Sequence, residues 1–168
     1  VKLTFMMSHR LMHEPAKMLS QMNETLALIL GGTFVTAAVI HLSADGHQLK
    51  YARAGHPPLL RYTAAADKVI EYLPPGRPLG DFPGNNFYTE TMIEINPQDV
   101  LLLYTDGVTE AENARGEMYT DRIKDFLLKE KELPAAEIRR KLVADLDRQI
   151  APQTEHDDDI ALAVIKVV

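Results

Sequence analysis

The sequence predicts an α+β domain in which antiparallel β-sheets are layered with helices. Helical periodicity is confined to the first 30 residues and to roughly 120–150. Between them lie short apolar runs joined by tight turns, which favour antiparallel neighbours, because parallel strands need a helix between most of them. A further apolar run, Ile160 to Val168, closes the chain as a last strand.

Residues 1–12 read as a first helix. Pro15 suits the first turn of a second. Met18, Leu19, Met22, Leu26 and Ile29 recur at three- and four-residue spacing on one face of it, and Gly31-Gly32 ends it. Phe34 to Leu42, the turn Ser43-Ala44-Asp45-Gly46 and His47 to Ala54 form a hairpin. Leu59 to Tyr62 and Val69 to Leu73 form a second, joined through Ala64-Ala65-Ala66-Asp67. A Pro- and Gly-rich loop runs from Pro74 to Gly84. Phe87 to Ile95 alternates, turns at Asn96-Pro97-Gln98-Asp99, and feeds the strand Val100 to Thr105. Helical patterns over 120–130 and 135–150 follow, separated by Leu133-Pro134.

At 168 residues the chain is expected to form a single domain. Eighteen basic against 24 acidic residues give a formal charge of −6, which argues against nucleic acid as the main partner. There is no cysteine, so disulfides, thiolate zinc sites and cysteine nucleophiles are excluded. This suits a reducing cytoplasm. The apolar stretch around Leu26 to Leu42 is broken by Gly31-Gly32 and Thr33 and does not read as a membrane span. Val1 is not an initiator methionine, and Leu3, Phe5, Met6 and Met7 are apolar from the outset. Such a beginning needs something to pack against, and the expectation is a piece of a longer chain.

Two acidic clusters carry the chemistry. The run Val100 to Thr105 leads into Asp106-Gly107, and Asp157-Asp158-Asp159 leads into Ile160 to Ile165. If these strands pair antiparallel, the end of the first meets the start of the second. Crowded carboxylates repel unless a cation lies between them, and hard ions such as Mg²⁺ or Mn²⁺ prefer oxygen ligands. The plainer readings are an ordinary Asp-Gly turn and a solvated strand cap. Consecutive strand residues point to opposite faces, so at least one of the three later aspartates faces solvent.

The motifs Ala54-Gly55-His56-Pro57-Pro58, Pro78-Leu79-Gly80, Leu103-Tyr104-Thr105-Asp106-Gly107-Val108-Thr109-Glu110 and Asp158-Asp159-Ile160-Ala161 occur in that order. Together they resemble the bacterial metal-dependent serine/threonine phosphatases of the type 2C superfamily, in the branch of sporulation stage II protein E and the sigma-factor regulators. The resemblance implies an α-β-β-α sandwich and two Mn²⁺ or Mg²⁺ ions holding a water that attacks phosphoserine or phosphothreonine. It implies that Asp106 and Asp158 are metal ligands, with Asp159 and Asp157 as alternates, and that Gly107 permits a tight backbone turn beside the ions. The family pattern also has a Gly-Asp motif and an Asp in a Gly-His-Gly context, upstream of the opening helices. Neither occurs here, so the chain resembles the C-terminal two-thirds of such a domain, with the first strands and first metal motif missing. The 168 residues alone are therefore expected to show little or no turnover of a phosphoserine peptide with Mn²⁺.

The resemblance further implies a phosphorylated regulatory protein as partner, such as an anti-sigma-factor antagonist, and a role for residues 1–30 as switch helices and homodimer contact. The remaining polar residues have plainer readings. Arg77 is a weak candidate for a substrate phosphate, against a surface arginine. His56 reads as part of a rigid turn, His156 as a loop histidine, and Glu110 and Glu112 as helix-start carboxylates. The alternative to a phosphatase is a non-catalytic module that keeps the fold and binds partners; a third reading is a metal-binding hydrolase with another substrate.

Overall fold

A computed structural model gives the fold; it describes every residue except 85, 114 and 150–158, and of Asp121 only the backbone. The α+β class holds: antiparallel sheets are layered with helices. The chain divides into two compact units, one of Val1–His56 with Leu73–Ile95, the other of Pro57–Tyr72 with Asn96–Val168.

The first unit opens with α1 (Lys2–Met7), a 3₁₀ turn at His9–Leu11 and α2 (Pro15–Ile29). The expected single helix over 1–12 is thus broken. Ser8 ends α1, its N–H reaching back to the carbonyls of Thr4 and Phe5. Pro15 occupies the first turn of α2, where its missing N–H costs nothing. The face of α2 read from the spacing is the buried one: Met18, Leu19, Met22 and Leu26 are at most 3% exposed. They pack with Ala52, Ala54, Leu79 and Tyr88. Each such side chain contributes about 1.5–3 kcal/mol by leaving water. Ile29, the last of the pattern, is exposed.

The sheet of this unit has the order β1 (Ala37–Leu42), β2 (Gln48–Ala54), β5 (Thr91–Glu94), all antiparallel. The first strand starts three residues later than the apolar pattern suggests. Val35 pairs instead with Leu79, through N–H···O bonds of 2.9 and 2.8 Å. The strand expected from Phe87 likewise shrinks to β5, because Phe87 and Tyr88 turn into the α2 core.

The second unit has a four-stranded sheet of order β4 (Lys68–Tyr72), β3 (Leu59–Thr63), β6 (Val100–Tyr104), β7 (Leu162–Lys166). All its pairings are antiparallel. A short helix, α3 (Asp106–Thr109), follows β6 directly, and α4 (Arg122–Glu130) and α5 (Ala135–Gln149) come before β7. The core of this unit joins Leu60, Val100 and Leu102 from the strands to Ile123, Leu127, Ile138 and Leu142 from α4 and α5. Among the described residues no helix is long and apolar enough to cross a membrane.

Candidate functional site

The candidate site rests on the β6–β7 pair. The register sets Tyr104 opposite Leu162, and Thr105 continues it by one step. Its N–H donates to the Ala161 carbonyl at 2.9 Å, and its hydroxyl oxygen accepts the Ala161 N–H at 2.9 Å. The same hydroxyl donates to the Asp159 carbonyl at 3.1 Å. One side chain therefore ties the residue before Asp106 to the backbone of the later aspartate. Sequence reasoning gave Thr105 no such role; a hydroxyl at the last strand position before an Asp-Gly pair is the signal that was present.

Asp106 is exposed and opens α3. Its Oδ1 accepts the Gly107 N–H at 3.2 Å. Gly107 is buried and helical, not in the left-handed region, so its smallness in the first turn matters rather than a special turn conformation. Asp159 is exposed. Asp157, Asp158 and His156 lie outside the described residues. Glu110 is exposed just past α3, where its N–H donates to the Asp106 carbonyl at 2.8 Å. Glu112 forms a bridge with Met118.

The oxygen chemistry of Asp106 fits a hard divalent cation. It is one donor. Among the described residues no group of three or more His, Cys, Asp or Glu is placed to hold a metal ion. By themselves the described residues do not make a complete ligand set.

The other two motifs meet inside the first unit. Gly55 has φ of +65°, and a Cβ there would lie 2.6 Å from Pro78 Cγ. The Gly55 N–H donates to the Gly76 carbonyl at 2.9 Å, and a Cβ on Gly76 would overlap the Arg53 carbonyl oxygen at 1.8 Å. Arg53 also donates to the carbonyls of Pro74 and His56. Gly55, the first residue of the Gly-His-Pro-Pro segment, is thus packed tightly against the Pro-Gly loop. Asn23, fully buried on α2, brackets the same loop: its amide donates to the carbonyls of Phe82 and Gly84 at 3.0 and 2.8 Å and accepts the Gly80 N–H at 2.8 Å. Gly55 therefore pairs with the Pro-Leu-Gly loop in the first unit, and Thr105 with the start of β7 in the second.

The sequence matches the family described as Stage II sporulation protein E (SpoIIE) over residues 3–168. The chain belongs to that family. No curated protein sequence matches it. The SpoIIE-family fold recurs in solved structures. The SiaA-PP2C domain of Pseudomonas aeruginosa aligns with a TM-score of 0.78 at 22% identity, over 92% of this chain and 61% of that one. The RsbU and RsbW domains of a Mycobacterium tuberculosis protein align with a TM-score of 0.69 at 24% identity, over 90% of this chain and 41% of theirs. The phosphatase domain of SpoIIE from Bacillus subtilis, presoaked with Mn, aligns with a TM-score of 0.67 at 17% identity, over 98% of this chain and 73% of that one. At these identities the likeness is one of fold. The chain spans less than two thirds of the first two structures.

Proposed function

We propose that this chain is part of a metal-dependent protein serine/threonine phosphatase that dephosphorylates a small regulatory protein, of the kind that antagonises an anti-sigma factor, in a bacterial cytoplasm. The supporting observation is the junction at which Thr105 ties the residue before Asp106 to the start of β7. With Mn²⁺ or Mg²⁺ bound, the chemistry supplied is a water acidic enough to lose its proton near neutral pH and attack phosphorus in line. Asp106 and Asp158 are the proposed ligands, with Asp159 and Asp157 as alternates for the second. Thr105 fixes the distance between the two chain segments. The presoaking of the Bacillus subtilis SpoIIE phosphatase domain with Mn supports a divalent ion of this kind.

The natural full-length protein with Mn²⁺ is expected to release inorganic phosphate from a phosphoserine protein, and EDTA to stop the release. Binding of the phosphoprotein without turnover in either Mn²⁺ or Mg²⁺ would replace this reading with the non-catalytic module.

We further propose that residues 1–30 act as switch helices and as a homodimer contact. Leu3, Phe5, Met6 and Met7 are each more than half exposed on or beside α1, and flexible methionines repack at low cost. Light scattering at high protein concentration is expected to give a dimer mass; a monomer mass removes the dimer contact.

A further inference from the structure

The Pro-Gly loop of the first unit holds an arginine in an unusual setting. The Arg77 guanidinium lies over the Phe82 ring at 4.9 Å and over the Phe87 ring at 5.2 Å. Both phenylalanines are tethered, Phe82 through its backbone and with its side chain half exposed. Phe82 is held through its carbonyl by Asn23, and Phe87 packs against the α2 core and edge-on to Tyr88. The loop carrying Arg77 is fixed on either side, by the Gly55–Gly76 hydrogen bond before it and the Val35–Leu79 bridge after it. Arg77 is exposed, and among the described residues its guanidinium has no hydrogen bond or ion pair. Other arginines use theirs internally, Arg61 on Asp99, Arg140 on Glu137 and Arg148 on Asp145.

A guanidinium resting over two aromatic rings gives up part of its rotamer freedom before any ligand arrives. Its edge donors form a planar fork suited to two oxygens of one anion. A lysine in the same place offers a point charge and no fork. We infer that Arg77, clamped by Phe82 and Phe87, is an oxyanion-binding site that docks a phosphoryl or carboxylate group presented by a polypeptide partner. The inference uses none of the metal ligands, so it stands or falls apart from the hydrolytic reading.

The test is peptide binding to the natural full-length protein in EDTA at low ionic strength, followed by fluorescence anisotropy. Three versions of one labelled ten-residue peptide carry phosphoserine, aspartate or alanine at a single position. At least one anionic version is expected to bind more tightly than the alanine version, and the tighter of the two names the source of the oxyanion. Arg77→Gln is expected to weaken that binding about tenfold or more, and Arg77→Lys not to restore it. Phe82→Leu, which keeps the charge but removes one wall, is expected to weaken it about threefold. Three results would overturn the site: no preference for either anionic peptide, equal affinity in wild type and Arg77→Gln, or full affinity in Arg77→Lys. Wild-type affinity in Phe82→Leu would overturn the clamp.

Discussion

Asp106→Asn is expected to lower phosphate release by the natural full-length protein on the order of 100-fold or more, while leaving thermal stability almost unchanged. The amide keeps the shape of the carboxylate and loses its charge, and a neutral amide is a poor partner for a divalent ion. Stability is expected to move by less than about 0.5 kcal/mol, because Asp106 is exposed and, among the described residues, its side chain takes only the neighbouring Gly107 N–H, which an asparagine oxygen also accepts. The two readouts must separate. A variant that loses activity together with its melting temperature has lost the α3 turn instead. A variant that keeps both shows that Asp106 is a turn residue and no ligand. The same substitution at Asp158 is expected to match Asp106→Asn, and at Asp159 to fall well short of it.

The β6–β7 pairing behind that experiment was legible from sequence because it depends on two strong local signals and one rule. Val100–Tyr104 and Leu162–Lys166 are apolar runs, and an antiparallel register brings the end of one to the start of the other. The α2 face was legible for the same reason, since periodicity reports burial directly. What escaped were contacts between residues distant in sequence. The break between α1 and the turn at His9–Leu11 leaves no mark in the apolar pattern. The late start of β1 follows from pairing of Val35 with Leu79, and neither residue announces a partner 44 positions away. Tight packing explains Gly55 in its motif and Gly76 in the Pro- and Gly-rich loop, yet a glycine in sequence says only that a side chain is unwelcome. Thr105 reads as an ordinary strand residue until its hydroxyl is seen bridging to Asp159 and Ala161.

Asp99 was hidden most completely. In sequence it is the last residue of a turn, Asn96-Pro97-Gln98-Asp99, where an exposed carboxylate is the normal expectation. It is fully buried. One oxygen, Oδ2, accepts Arg61 Nε at 3.0 Å, Arg61 Nη2 at 2.6 Å and the Asn96 N–H at 2.9 Å; the other accepts the Ala64 N–H at 2.9 Å. Arg61 sits in the middle of β3 with its side chain 9% exposed. The Asp99 backbone also receives the Val167 N–H at 2.9 Å. Through its carboxylate Asp99 thus joins β3 to the turn before β6, and through its backbone carbonyl it holds the residue that follows β7.

Asp99→Ala is expected to destabilise the protein by about 3–5 kcal/mol, read as a shift in urea midpoint at unchanged slope. The cost comes from what is left behind: a buried guanidinium that among the described residues keeps only the Tyr72 hydroxyl at 3.2 Å, and two backbone N–H groups without their acceptor. Removing the charge from the other side separates these contributions. In Asp99→Ala/Arg61→Leu no cation is stranded, so the double variant is expected to recover about half of the loss and to remain below wild type by the two unmet backbone donors. A single-variant cost under about 1 kcal/mol would mean that water or a rearranged turn replaces the carboxylate. Asp99 fixes the start of β6 and Asp106 follows its end, five residues of strand apart. If β6 shifts when its start is released, the Asp99 variants lose phosphatase activity even at temperatures where they stay folded. The candidate ligand then depends on a buried ion pair at the far end of its own strand.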